Sequence, residues 1–288
     1  MLNHPMMLPW ELFLRQLALC ERRYLEGLRG TWMQGPPIDW VSWRCGDHFL
    51  GYVPVERANL IFRSLPECTF KDADLNWETS SWTPVQRSDV LQKMLERHWR
   101  QGLVTGWRNE KFSYWTHTIE DPDPAIPHML SVERAGFRYL GMMSHAVHIN
   151  GFLPDGRIWC GRRSKGKATD PGLLDNLAAG GLPTGETVLS CALRELKEEA
   201  GLFNIDKSDL ADSGFIRTSR TEREGWHDES LRVYNLVLTQ DFQPSNQDGE
   251  VEEFLCLKPS DAVELIMGAK FTFDATASLL QGLGLHRS

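Results

Sequence analysis

The sequence predicts an α/β protein in two parts: a smaller α+β domain over residues 1–125 and an α/β domain over residues 131–288. Three observations carry that expectation. The segment "EDPDPAIPHM" holds three prolines in ten residues, which neither a helix interior nor a central strand tolerates, and marks the boundary. Strand patterns with helices interspersed follow it. Within them, "ETVLSCALRELKEE" runs from Glu186 to Glu199 without Gly or Pro and places Val188, Leu189, Ala192, Leu193 and Leu196 on one arc.

In chain order, "WELFLRQLALCERRYLEGLRG" from Trp10 to Gly30 repeats apolar residues at helical spacing and predicts one amphipathic helix. "DHFLGYVP" reads as a strand, "VERANLIFRSL" as a helix, and "RSDVLQKMLERHWRQGL" as a helix capped by Ser88 or Asp89. "GWRNEKFSYW" reads as a strand. Past the prolines, "HAVHINGFL" and "RIWCGRR" flank "PDG", a hairpin signal. A Gly/Pro-punctuated loop, "SKGKATDPGLLDNLAAGG", leads to the glutamate helix, which is expected to start at Thr184 or Gly185 and to end on Gly201. Strands at "SGFIRTSRTER", "SLRVYNLVLTQDF" and "EVEEFLCL" follow, then a helix over about Ser260–Met267.

With 288 residues, 41% hydrophobic and 24% charged, the chain has apolar mass for two cores. Its net charge of -8 argues against a broad nucleic-acid or anionic-membrane surface and leaves room for a local basic patch. The six cysteines form no CxxC pair, so reduced thiols are expected. "MLNHPMMLPWELFLRQL" mixes Pro, Glu and Arg into its apolar run, and no stretch of about 18 apolar residues occurs. A cytoplasmic protein without a targeting segment is the expectation.

The glutamate helix places Glu195, Glu198 and Glu199 together at i,i+3 and i,i+4 spacing in its last turn. Each like-charge pair costs about 0.2–0.5 kcal/mol, and the helix dipole opposes negative charge at that end. Glu199 falls at the edge of the apolar arc, where a purely solvated face would not put it. A hard divalent cation would relieve the repulsion.

Gly180, Glu186, Arg194, Glu195, Leu196, Glu198, Glu199, Gly201 and Leu202 occupy every defined position of the Nudix box. On those residues the chain resembles the Nudix (MutT-like) hydrolase family. The resemblance implies an α/β/α sandwich with a mixed sheet that binds Mg²⁺ or Mn²⁺ and hydrolyses a small-molecule diphosphate. It implies Glu195, Glu198 and Glu199 as metal ligands with the Gly180 carbonyl nearby, and Glu186 with Arg194 as a structural ion pair. A further carboxylate from "NQDGEVEEF" is expected to assist catalysis, Glu250 first and Glu253 second.

Arg162, Arg163, Lys165 and Lys167 are the candidate diphosphate clamp, since guanidinium groups bind phosphate oxygens bidentately and their loop runs into the glutamate helix. His145 and His148 are read as structural, on opposite strand faces. "VHINGF", "GRRSKGKATDPGLLDNLAAGGLPTGE", "VYNLVL" and "FQPSNQDGEVEEF" resemble the two-domain subgroup associated with hydrolysis of thiamine diphosphate and its oxidised forms, with Asn235 where that pattern has Asp. For such a cation Trp226, with Tyr234 behind it, is the candidate aromatic platform. The first domain is expected to cover the site or mediate dimerisation. A nucleotide sugar or dinucleotide as substrate, and a non-catalytic ligand sensor, are the alternatives.

Overall fold

The computed structural model describes residues 7–285 except 72, 73, 117, 120 and 168. Two short helices open the chain, α1 (Pro9–Gln16) and α2 (Leu19–Gly27). The single helix expected there is broken because Leu17 and Ala18 are extended. Glu21 accepts a hydrogen bond from the Ala18 amide at 2.6 Å, which starts a second helix where the first would have continued.

Next come β1 (Trp40–Cys45), β2 (His48–Pro54), α3 (Val55–Ser64), β3 (Cys68–Lys71), β4 (Asp74–Trp77) and α4 (Pro84–Arg100). The strands form a four-stranded sheet in the order β2-β1-β4-β3. Helix α4 begins earlier than Ser88 or Asp89: Thr83 is its cap, accepting from the Gln86 amide while Gln86 Oε1 accepts from the Thr83 amide at 2.8 Å. Pro84 then fits the first turn, where no amide is needed. A two-stranded pair, β5 (Lys111–Tyr114) with β6 (Leu130–Glu133), and the short helix α5 (Arg134–Leu140) complete this half.

The second half contains β7 (Ser144–Phe152), β8 (Ile158–Arg163), β9 (Leu174–Asp175), β10 (Ala178–Gly181), α6 (Val188–Ala200), β11 (Leu210–Glu222), β12 (Gly225–Val237), β13 (Val251–Leu257), α7 (Pro259–Met267) and α8 (Phe273–Gly282). The sheet runs β11-β12-β7-β8-β13, with β10 added on β7 and β9 on β8, and is mixed because β12 and β7 are parallel. Both short strands lie inside the stretch read as loop. They are two and four residues long between glycines and a proline, too short for alternation to register.

Among the described residues the buried hydrophobic side chains fall into three clusters. One unites β1, β2, β4 and α4 around Trp43 and Trp77. A second packs α6 through Cys191, Ala192 and Leu196 on Val147 and Ile149 of β7. The third covers the other sheet face, where Ala146 and Phe152 meet α7 and α8. Helices therefore flank the sheet on both sides, an α/β/α sandwich. Phe13, Leu17, Leu25 and Trp32 belong to this third cluster, so the first helices pack on the C-terminal sheet although they precede the four-stranded one.

Helix α8 escapes a sequence reading because residues 275–282 are all buried and show no amphipathic stripe. Amides hold it to the sheet: Asn235 donates to the Gly282 carbonyl at 2.7 Å and accepts from Asn150 at 3.0 Å, while Asn176 donates to Asn150 and accepts from Ser278, both at 2.7 Å. A carboxylate at 235 could not donate to Gly282. Asn235→Asp is expected to cost about 3 kcal/mol, read as a lower urea midpoint; an unchanged midpoint would remove Asn235 from the anchoring of α8.

Candidate active site

Helix α6 starts three residues after Thr184, on the cap Thr187, whose hydroxyl accepts from the Ser190 amide at 3.1 Å. Thr184 does different work. Its amide donates to the Lys111 carbonyl at 2.8 Å, and its hydroxyl meets Ser113 at 3.0 Å and Ser131 at 2.7 Å, tying the loop to β5 and β6. At the other end Gly201 takes the left-handed conformation, φ 72°, expected of it.

Packing α6 on the sheet turns Glu195 and Glu199 inward, leaving them 8% and 7% exposed, while Glu198 stays more open. The Glu195 carboxylate lies against the backbone of β10. A Cβ built on Gly180 would meet its Oε1 at 2.0 Å, so any side chain at 180 would push the carboxylate aside. Glu199 accepts from the Ala179 amide at 2.9 Å. Burial lifts the Glu195 pKa to about 7 against the pull of Arg194. Burial, reinforced by the charge of Glu195, lifts Glu199 to about 8.

Arg194 pairs with Glu186 at 2.9 Å, as expected, and also reaches Glu195 at 2.6 Å and Glu198 at 2.9 Å. Lys167 rests against Glu250, with Glu199 at 3.9 Å. Glu199, Asp248 and Glu250 bring carboxylate oxygens within 4.8 Å of one another. This all-oxygen donor set, with Glu199 buried and Asp248 and Glu250 open to water, fits a hard divalent cation.

Lys167, Arg194, Glu195, Glu198, Asp248 and Glu250 line a cleft of about 310 Å³. Of the four expected clamp cations, Arg163 and Lys167 reach it. Arg163 pairs with Asp175 at 2.8 Å and donates to the Thr169 carbonyl at 2.9 Å. Arg162 and Lys165 do not: Arg162 pairs with Glu253 at 2.5 Å, and the exposed Lys165 with Glu252 at 3.5 Å. Glu250, in the Asp248 turn before β13, is thus in the cleft, whereas Glu253, opposite Arg162 on the strand, is outside it.

The expected aromatic platform is not in the cleft. His227 and Glu229 line it, so alternation along β12 sends Trp226 to the other face, edge-on to Trp40 and Tyr52 beside a separate cavity of about 560 Å³. Tyr234 sits on that face too, near Val188. His145 and His148 face opposite ways. Burial first, then Arg217, brings His145 down to about 3, whereas His148 lines the cleft and donates through Nδ1 to Asn176 at 2.7 Å.

Sequence reasoning missed several lining residues. Glu110 and Phe112 come from β5 and its approach, and Arg134 and Arg138 from α5. The i,i+4 arginines before the first strand of the large sheet were a readable signal. His227, Glu229 and Asp274 had none, since Asp274 sits on α8.

Residues 145–278 match the family described as NUDIX domain. The chain is 32% identical over 200 residues to Nudix hydrolase 24, chloroplastic, of Arabidopsis thaliana, covering 68% of this chain and 53% of that protein. It is 31% identical over 225 residues to the uncharacterized protein YJR142W of Saccharomyces cerevisiae, covering 71% and 61%. The chain thus spans about half to three fifths of the relatives it matches. DR0079 of Deinococcus radiodurans superposes on 57% of this chain and 92% of its own, with TM-score 0.41 and 19% identity. Among the described residues no helix is long and apolar enough to cross a membrane.

Two outcomes follow from the raised carboxyl pKa values. Without divalent metal, Glu195 and Glu199 hold protons in the folded state that the unfolded chain has released. Their contribution to stability is complete below about pH 4.5 and is lost as pH rises through 7 to 8. The melting temperature in EDTA should fall across that window, and Glu199→Gln should flatten the fall; an equal slope in the variant would contradict the assignment. Gly180→Ala should displace the Glu195 carboxylate and weaken Mn²⁺ binding, measured by electron paramagnetic resonance, at least about tenfold.

Proposed function

We propose, from the premise that the chain carries a domain of the NUDIX family at residues 145–278, that the protein is a divalent-metal-dependent hydrolase of a diphosphate joined to an organic group. The observation that carries the reading is the pair of buried, mutually repelling carboxylates, Glu195 and Glu199, seated on β10 beside the more open Glu198. Glu195, Glu198, Glu199 and the Gly180 carbonyl would hold the ion. The chemistry supplied by bound Mg²⁺ or Mn²⁺ is Lewis-acid stabilisation of charge on the phosphoryl oxygens and on the attacking water.

The chain's own groups divide the remaining work. Arg163 and Lys167 bind phosphoryl oxygens from the β8 side, the first with a fork and the second as a point charge. Glu250, held at the rim by the Asp248 turn and facing Lys167, takes the proton from the attacking water. Arg194 keeps Glu195 and Glu198 aligned. Water adds to phosphorus, the diphosphate bridge breaks, and a monophosphate and inorganic phosphate leave.

Thiamine diphosphate or its oxidised forms is the substrate we propose within this class, supported by the resemblance along "GRRSKGKATDPGLLDNLAAGGLPTGE" and "FQPSNQDGEVEEF". The organic end then faces Phe112 and the Glu229 carboxylate instead of Trp226. The N-terminal part serves as a cover, since Glu110 and Phe112 are its contribution to the cleft.

Glu198→Gln should lower Mg²⁺-dependent phosphate release by at least about a hundredfold with little change in melting temperature. Wild-type turnover by the variant would end the hydrolase reading. Product masses from a panel of diphosphates test the substrate: faster turnover of ADP-ribose than of oxidised thiamine diphosphate would overturn the thiamine assignment alone.

A further inference from the structure

Five side chains close a ring on one wall of the cleft. Glu222 bridges Arg138 at 2.8 Å and Arg220 at 2.6 Å. Arg220 donates to both oxygens of Asp274, at 2.9 and 3.1 Å. Asp274 Oδ2 lies 3.4 Å from His227 Nε2, and His227 Nδ1 lies 2.8 Å from Nη2 of Arg138. The members come from α5, β11, β12 and α8, so the ring exists only in the folded chain. At the same seam a Cβ on Gly225 would meet the Arg138 carbonyl at 2.3 Å, which packs the β11–β12 turn directly on α5.

The ring determines where the imidazole proton sits. A guanidinium only donates, so His227 Nδ1 accepts from Arg138 and the proton is on Nε2, facing Asp274. That tautomer leaves Nε2 without a lone pair for a metal. His227, Glu229 and Asp274 offer atoms within 4.8 Å of one another, yet with Arg138 in place they are not a cation site.

Arg138 is what the ring holds. Its Nη1 also donates to the Thr169 hydroxyl at 3.2 Å, and the Thr169 carbonyl is gripped by Arg163. Its Nε finds no acceptor among the described residues, and the side chain is 25% exposed and lines the cleft with Arg163 and Lys167. A guanidinium fixed on one edge and open on another is prepared for a bidentate anion. We infer that Arg138 binds the phosphoryl oxygens of the substrate and that His227 and Asp274 are positioning residues that aim it. This inference rests on the diphosphate reading above.

The test is titration calorimetry of the full chain with Mg²⁺ and methylenediphosphonate, which cannot be hydrolysed. Arg138→Ala should weaken binding by about tenfold or more, and Arg138→Lys, which keeps the charge and lacks the fork, by several-fold. His227→Leu should weaken binding, and His227→Asn, whose Oδ1 can accept from Arg138, should recover most of it. In steady-state assays the same variants should raise KM more than they lower kcat. Unchanged binding by Arg138→Ala, or equal binding by the Leu and Asn variants of His227, would overturn the inference while leaving the hydrolase reading intact. Wild-type binding without hydrolysis of any diphosphate would end the hydrolase reading alone, and no wild-type binding would end both.

Discussion

Two carboxylates buried at the C-terminal end of a helix are the constraint around which this part of the molecule is arranged. Glu195 and Glu199 lose water, repel each other and face the negative end of the α6 dipole. Each cost is met by a neighbour with one suitable feature. Gly180 has no Cβ, which lets the Glu195 carboxylate lie on the β10 backbone, and the Ala179 amide donates to Glu199. Arg194 spans Glu186, Glu195 and Glu198, and Lys167 lies between Glu199 and Glu250. A divalent cation would complete the same balance with more charge in less space.

The two parts of the chain meet at this arrangement. The Phe112 ring lies on Gly181, where a Cβ would approach it to 2.4 Å, and the hydroxyls of Ser113, Ser131 and Thr184 join β5 and β6 to the loop before α6. The wall of the cleft is thus built partly by residues that precede the large sheet. On the far side of that sheet, α1 and α2 pack with α7 and α8. The N-terminal residues therefore brace the domain from two directions, and α8 carries Asp274 to the ring that holds Arg138.

Most elements were legible because their signals are local. The "PDG" hairpin, the amphipathic arc of α6, the Gly201 cap and the spacing of the box residues depend on side chains within a few positions of one another. The misread boundaries had competing local chemistry. Glu21 capping Ala18 divided the first helix, and Thr83 with Gln86 out-competed Ser88 and Asp89 as the start of α4. Short strands such as β9 and β10 are set by their neighbours' hydrogen bonds and leave no periodic trace.

The sequence by itself determined the chemistry available at the site: three glutamates on one helix face, a glycine beside them and basic residues in the loop before them. Spacing along a regular helix translates directly into direction, so these could be read without a structure. Only the tertiary structure decided which other groups share the cleft. Strand alternation separated Arg163 from Arg162 and His227 from Trp226, and the turn before β13 set Glu250 apart from Glu253. Packing of α5 and α8 then brought Arg138, 89 residues away in the chain, and Asp274 to His227, contacts with no local sequence signature because they depend on how distant elements bury their apolar faces.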